Sequence, residues 1–159
     1  MVRLVGWLAL TVFAGDQLTK WWAGRVLVPG ESHPVLPGIF HLTLVRNTGV
    51  AFGLFAHAGM IVLIVTAGIV AVLVITSMRR PPISPLVSVA MGLVLGGATG
   101  NLLDRLRLGA VIDFLDFRVW PVFNVADSCI TVGAVLLAWV WSQSRWPEGR
   151  GPASSCRSQ

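Results

Sequence analysis

The chain has 159 residues, of which 55% are hydrophobic and 12% are charged, and its mean hydropathy is +0.77. Soluble domains carry about 25% charged residues, so this composition excludes a free-standing soluble protein, and its high hydrophobicity excludes intrinsic disorder. The net charge of +5 does not indicate binding to nucleic acid, because no run of basic residues is longer than Arg79–Arg80. The sequence predicts a membrane protein.

The first predicted helix covers about residues 4–23. Its apolar run ends near Gly15, so the segment spans a membrane only by continuing through Asp16 and Lys20. A cleavable signal peptide is the alternative, because Arg3 precedes a short apolar stretch that ends in small residues. The three further apolar segments favour an uncleaved helix.

Residues 24–53 are too polar and too rich in proline and glycine to cross a membrane. Apolar residues alternate with their neighbours between Phe40 and Val45, which is the pattern of a half-buried strand. We therefore expect a small β-sheet that rests on the outer surface of the membrane.

Three more helices are predicted, at about residues 55–78, 86–104 and 125–142. The first of these carries no formal charge and is long enough to cross a hydrocarbon core of about 30 Å. The segment 105–124 is predicted to be an amphipathic loop or short helix on the outer membrane surface. The helix before it has glycine at every fourth residue, so that another helix can approach one face closely; these are Gly92, Gly96 and Gly100.

Four helices place both chain termini on the same side of the membrane. The twelve basic residues divide equally between the two sides, so the positive-inside rule does not decide the orientation. Six of the seven acidic residues lie opposite the termini, which leaves a plainly basic side that we assign to the cytoplasm. We expect residues 1–144 to form a single membrane-embedded domain, and residues 145–159 to form a disordered cytoplasmic tail.

Metal and redox chemistry are not indicated. His33, His41 and His57 have no HExxH or CxxC companion, and Cys129 and Cys156 do not form a disulfide framework. We expect neither a metal nor another cofactor.

The polar residues fall in five short clusters, at the outer ends of helices or in outer loops. A charge at the centre of a membrane costs about 2.5 to 3.5 kcal/mol even on the lower scales, so such groups indicate function. All five clusters can converge at one face. They are DQLTK at 16–20, NTGVAFG at 47–53, GGATGNLLDR at 96–105, VIDF at 111–114 and FNVADS at 123–128.

Several of these charges also have a structural explanation. Asp16 and Lys20 have the i,i+4 spacing of a helix ion pair, with the lysine extending outward to water. Asp127 lies at the start of a helix, where negative charge is favoured. Asp104, Asp116, Arg107 and Arg118 are expected to be ordinary interfacial or solvated charges, and composition does not decide between Asp113 and Asp116 as a reactive group.

Taken in this order, the five clusters resemble the motif set of the bacterial lipoprotein signal peptidases, the type II signal peptidases, from Asp16 to about Ser128. The resemblance implies an aspartic endopeptidase of the inner membrane, which cuts the signal peptide from a prolipoprotein before a diacylglyceryl-modified cysteine. It implies that Asp113 and Asp127, in the VxDF and FNxADS motifs, are the catalytic pair. The implied partners are this substrate, membrane lipid and the inhibitor globomycin, and we expect a monomer.

The resemblance also implies substrate-binding or supporting roles for eight residues. Asp16 is expected to line the site near the lipid-modified cysteine, Asn101 to contact substrate or orient a catalytic carboxylate, and Arg105 to brace the outer loops electrostatically. Gly49 is expected to allow a close backbone approach. The full set is Asp16, Lys20, Asn47, Gly49, Asn101, Arg105, Asn124 and Ala126.

The implied chemistry agrees with the residue types. Two nearby carboxylates that share one proton provide a base for water and an acid for the amide. The loop between Asp113 and Asp127 is expected to close over substrate as a flap. Two other functions stay open. One is a channel or transporter with Asp16, Asp113 and Asp127 as a proton relay, which requires acids near the bilayer midplane. The other is a serine protease built on Ser84 or Ser88.

Overall fold

The described residues, 1–49, 58–79 and 84–144, form four α-helices and one antiparallel sheet in a computed structural model. The predicted start of the second helix at residue 55 and the predicted tail 145–159 lie outside these residues. The elements in chain order are α1 (Val2–Val26), β1 (Ser32–Leu36), β2 (Phe40–Asn47), α2 (Ala58–Arg79), α3 (Pro85–Leu108), β3 (Val111–Asp116) and α4 (Val125–Ser144).

Two helices in the described part of the chain are long and apolar enough to cross a membrane, namely Pro85–Leu108 and Val125–Gln143. A shorter apolar helical stretch, Leu63–Arg79, lies within α2. The chain is thus mostly helical with a small sheet, and the predicted topology of four spans stays a prediction.

α3 lies between α1 and α4 and contacts both through glycine. A Cβ atom at Gly96 would lie 2.5 Å from the carbonyl oxygen of Ala9 on α1, and one at Gly97 would lie 2.6 Å from the carbonyl oxygen of Ala126 on α4. Only glycine permits such an approach, so the predicted close contact is confirmed. The glycines that face α1 are Gly92, Gly96 and Gly100.

The ends of α3 follow from local sequence. The Ser84 hydroxyl accepts a hydrogen bond from the Val87 N–H at 3.2 Å, and Pro85 occupies the first turn, where its missing N–H costs nothing. At the other end Gly109 adopts a left-handed φ of 69° and donates its N–H to Arg105. The helix therefore continues four residues beyond the predicted end at residue 104.

The sheet has the order β1-β2-β3, with antiparallel pairing throughout. A loop or short helix is predicted for residues 105–124, and the structure corrects this prediction. The end of α3 occupies 105–108, residues 111–116 form β3, and no helix forms in 117–124. Apolar residues lie on both faces of β3, so it lacks the alternation that identified β2. One of these, Phe114, packs with Ala23, Leu27 and Leu44 in a buried cluster that joins the sheet to the end of α1.

Candidate active site

Asp113 and Asp127 lie on different elements and share Asn124 as a neighbour. Asp113 is in β3 and Asp127 is in the first turn of α4. The Asn124 side-chain amide donates to Asp113 Oδ1 at 2.7 Å. Asn124 Oδ1 accepts the Asp127 N–H at 2.9 Å, while Asp127 Oδ2 accepts the Asn124 N–H at 3.3 Å. This reciprocal pair of bonds is a capping box, so the start of α4 fixes both carboxylates.

Each carboxylate also accepts a hydrogen bond from another asparagine. Asn47 Nδ2 donates to Asp113 Oδ2 at 2.9 Å, and Asn101 Nδ2 donates to Asp127 Oδ1 at 2.8 Å. Within the described ranges neither carboxylate forms a salt bridge. Neutral amides hold the two acids in place without fixing either one as an anion.

The surroundings of Asp113 favour a proton on the pair. Asp113 is 1% exposed, and this burial raises its pKa to about 6, with the negative charge of Asp127 acting in the same direction and the hydrogen bonds from Asn47 and Asn124 opposing it. The two carboxylates are therefore close enough to repel each other.

Lys20 of α1 is buried and uses all three of its N–H donors. Its Nζ atom lies 2.8 Å from Asp16 Oδ2, 2.7 Å from Asp104 Oδ2 and 2.8 Å from Asn101 Oδ1. The predicted ion pair with Asp16 is present, but the prediction that Lys20 extends outward to water is wrong, because its side chain is 4% exposed. Asp104 is not an interfacial charge; it is the second buried partner of Lys20.

Asn101 connects Lys20 to the carboxylate pair. Lys20 and the Asn124 amide both donate to Asn101 Oδ1. Lysine has no acceptor, so the oxygen of Asn101 must face it and the NH2 group must face Asp127. The contacts of Asn101 thus correspond to the expected role of orienting a carboxylate.

Asp16 and Ala126 tie α1 to the start of α4. The Asp16 carboxylate accepts the Ala126 N–H at 3.0 Å through Oδ1, and its other oxygen binds Lys20. Ala126 is fully buried and lies against Gly97. Asp16 therefore faces the helix interface, with both of its oxygens in use.

Gly49 supports Asn47 from the neighbouring turn. It adopts a φ of 73°, in the left-handed region that favours glycine, and donates its N–H to Asn47 Oδ1 at 2.8 Å. Its observed part is thus to hold the amide that contacts Asp113. The rest of that cluster, 50–53, lies outside the described residues.

Arg105 lies four residues after Asn101 in α3. Its Nη1 atom donates to the Asn101 carbonyl oxygen at 3.4 Å, while its Nε atom is buried with no partner among the described residues. Its positive charge acts on the carboxylates of Asp127, Asp113 and Asp104. The expected electrostatic bracing of the outer loops stays a prediction.

Asp116 is separated from the pair by its position in the strand. Contrary to the expectation of a solvated charge, it is 5% exposed. Its carboxylate accepts hydrogen bonds from Thr43 Oγ1 and the Arg118 N–H, both at 2.8 Å, and these bonds, that of Arg118 first, lower its pKa. Asp113, not Asp116, therefore neighbours Asp127.

An apolar cavity of about 470 Å³ opens beside Asp127, between the loop 117–124 and α4. The ring of Phe117 lies 4.9 Å from that of Phe40 and is stacked 5.9 Å from that of Phe123, which anchors the loop. The remaining lining residues are Trp120, Ser128, Thr131 and Val132.

Sequence reasoning missed Asp104 and Gln17. Gln17 Nε2 donates to Asp104 Oδ1 at 3.0 Å, so both belong to the Lys20 cluster. Asp104 follows Gly100 by four residues and therefore shares its helix face toward α1, which is a signal that the sequence did contain. Among the described residues no group of three His, Cys, Asp or Glu side chains could hold a metal ion.

Comparison with known proteins decides the family. The family model for "Signal peptidase (SPase) II" matches residues 8–142. The chain belongs to the signal peptidase II family. It is similar to the "Lipoprotein signal peptidase" of Moorella thermoacetica, at 47% identity over 91% of this chain and 97% of that protein. The corresponding protein of Pelotomaculum thermopropionicum is 50% identical over 78% and 82% of the two chains.

Solved structures agree with the signal peptidase II assignment. One, described as "Bacterial membrane enzyme structure by the in meso method at 1.9 A resolution", matches with a TM-score of 0.79 at 31% identity, over 86% of this chain and 91% of that chain. Another of the same description at 2.3 Å matches with a TM-score of 0.78, also at 31% identity, over 92% and 93%. As a member of the signal peptidase II family, the chain is a membrane protease.

Proposed function

We propose that the chain removes signal peptides from bacterial prolipoproteins, cutting before the diacylglyceryl-modified cysteine with Asp113 and Asp127 as the catalytic dyad. The names of its relatives support this substrate. The observation that carries the dyad is the shared contact with Asn124, which holds the buried carboxylate of Asp113 and the carboxylate of Asp127, at the edge of an apolar cavity.

The reaction needs one proton on the pair. The ionised carboxylate takes a proton from water, whose oxygen attacks the carbonyl carbon of the scissile amide, while the protonated carboxyl donates to the carbonyl oxygen. When the tetrahedral intermediate collapses, the C–N bond breaks and a proton passes from the dyad to the leaving nitrogen. The titration belongs to the pair, so neither Asp113 nor Asp127 is assigned the proton.

The cavity beside Asp127 suits the apolar part of such a substrate. Its walls are largely aromatic and aliphatic, and Asp127 lies at its edge. The loop above it exposes Val119 by 92% and Trp120 by 69%, as expected for a flap that lies on a membrane surface.

We further propose four membrane spans, with both termini in the cytoplasm and the dyad at the extracytoplasmic face of the inner membrane. The close contact of α1 with α3 supports this topology, because α1 must then cross the same depth as a candidate span. Residues 1–144 would form one domain, and removal of 145–159 should leave activity intact. We also expect a monomer that globomycin inhibits and a chelator does not.

The two other functions open at the outset lack support. A proton relay through Asp16 needs a free carboxylate, whereas both of its oxygens are bonded. Ser84 caps α3 and Ser88 donates to the Ser84 carbonyl oxygen, at the opposite end of α3 from Asp104.

The experiment compares Asp113→Asn, Asp127→Asn and the control Asp116→Asn, assayed on diacylglyceryl-modified prolipoprotein in detergent. Removal of either member of the dyad should lower turnover by about 10²-fold or more. Asp116 is a buried carboxylate on the same strand without contact to Asp127, so its variant should keep most of the activity. Near-native turnover of either dyad variant would overturn the assignment.

A further inference from the structure

A second cavity, of about 300 Å³, lies between the end of α1, the end of α3 and the sheet. It is lined by basic residues from three separate elements: Arg25 of α1, Arg46 of β2 and Arg107 of α3. Lys20 and Asp104 also reach its wall. Side chains from three elements that converge on one space form a built site rather than a chance run of charge.

The positive charge of this basic cavity is not neutralised by the protein. Its one carboxylate, that of Asp104, is already bound to Lys20 at 2.7 Å. None of Arg25, Arg46 and Arg107 forms an ion pair within the described ranges. Three arginines thus line the cavity without an ion-pair partner, and guanidinium is the side chain best suited to bind phosphate.

The basic cavity is distinct from the dyad site. Arg46 and Ile112 line it, whereas their immediate neighbours Asn47 and Asp113 form the hydrogen bond beside the dyad. Consecutive residues of a strand point to opposite faces. The two sites therefore lie on opposite faces of the β2–β3 pair, and what binds in one is not in contact with the other.

The rim of the basic cavity is apolar. Trp21 is 61% exposed, Leu108 is 51% exposed, and the Arg25 guanidinium lies 5.3 Å from the centre of the Trp21 ring. α3 is a candidate membrane span that ends at Leu108, so the proposed topology places this rim at a membrane interface, where tryptophan is favoured. A ligand here meets cations on one side and hydrocarbon on the other.

We propose that the basic cavity binds a phosphodiester group supplied by the headgroup of an anionic phospholipid. A free phosphate ion would satisfy the arginines and leave Trp21 and Leu108 without a contact. A phospholipid matches both parts of the site. This proposal rests on the proposed position of α3 in the membrane and does not rest on the dyad, so loss of cleavage activity in the dyad variants would leave it untouched.

The test measures lipid retention by the purified full-length chain with native mass spectrometry. Phosphatidylglycerol is compared with phosphatidylcholine of the same acyl chains, for the native protein and for Arg46→Gln/Arg107→Gln. The matched control, Arg3→Gln/Arg79→Gln, removes the same charge from exposed positions that do not line the cavity. Arg46→Lys/Arg107→Lys keeps the charge, and cleavage activity together with the unfolding temperature reports correct folding.

The native protein should prefer phosphatidylglycerol, and each neutralised arginine of the cavity should weaken that preference roughly fivefold. The control pair should retain it, and the lysine variant should retain most of it. Equal retention of phosphatidylcholine, or an equal loss in the control pair, overturns the proposal. A third arm adds soluble glycerol 3-phosphate: displacement of the lipid at millimolar concentration assigns the site to a free anion and overturns the lipid as its source.

Discussion

Asp113 and Asp127 are held by one residue that lies between them in the chain, Asn124, through its side chain on one side and its backbone on the other. The same side chain caps α4 through the Asp127 N–H. Stability of the helix and orientation of the dyad thus depend on different atoms of Asn124, so substitution can separate them.

Asn124→Ser keeps a side-chain oxygen for the cap and loses the amide that donates to Asp113, Asn101 and the Ile112 carbonyl oxygen. We expect turnover to fall by about tenfold or more, because Asp113 loses the bond that positions it, and stability to fall as well, because buried acceptors lose their donor. Asn124→Ala also loses the cap and should be less stable than Asn124→Ser by about 1 kcal/mol. Thermal unfolding in detergent and the cleavage assay measure the two effects. Native turnover in the serine variant would contradict the orienting role.

Lys20→Met leaves the carboxylates of Asp16 and Asp104 buried without their cation. Breaking a buried ion pair from one side costs about 3 to 5 kcal/mol, so we expect a large fall in the free energy of unfolding. Lys20→Met/Asp104→Asn removes one of the stranded charges and should recover part of the loss. Chemical denaturation of the two variants provides the comparison, and a double variant less stable than the single one would count against this arrangement.

Gly96→Ala introduces a Cβ atom 2.5 Å from the Ala9 carbonyl oxygen. The resulting overpacking should cost about 1 to 3 kcal/mol. Gly68→Ala in α2 is the matched control, because nothing lies within 4 Å of its Cβ position. There alanine should be neutral or stabilising by up to about 1 kcal/mol. Equal unfolding temperatures for the two variants would contradict the contact between α1 and α3.

The two acids of β3 should give opposite dependences of stability on pH. The pKa of Asp113 is raised from 3.8 to about 6, so the folded state binds the proton more tightly than the unfolded state, and stability falls as pH rises from about 4 to 6. The pKa of Asp116 is lowered, so its contribution is present above pH 4 and is lost as pH falls.

The measurement is the unfolding temperature of native protein, Asp113→Asn and Asp116→Asn across pH 3 to 7. Asp113→Asn should remove the decline between about pH 4 and 6, and Asp116→Asn should remove part of the loss below about pH 4. An unchanged slope in Asp113→Asn would show that its carboxyl is not held in a proton-favouring environment.

The sequence predicted the features that depend on local pattern. Hydrophobic length identified the apolar segments, alternation identified β2, and the spacing of glycines identified the face of α3 that meets α1. Asp113 and Asp127 were assigned as a catalytic pair from the family resemblance and not from local pattern, because composition did not distinguish Asp113 from Asp116.

Features that depend on tertiary contact were not predictable in this way. β3 has apolar residues on both faces and four of its six residues are buried, so it carries no alternation. Lys20 turns inward because Asp104 and Asn101, more than 80 residues away, complete its coordination. No pattern within one helix reveals a partner on another.

The two glycine contacts of α3 involve backbone on both sides, at neighbouring positions Gly96 and Gly97. These backbone contacts fix the spacing of three helices, and Asn101 lies just over one turn further along. The helix contacts that support the reaction geometry are therefore separate from the tip of the loop that would meet the substrate, at residues 117–122. Substrate range can accordingly diverge among homologues by changes at 117–122, while Asn124 and the helix contacts keep the reaction geometry constant.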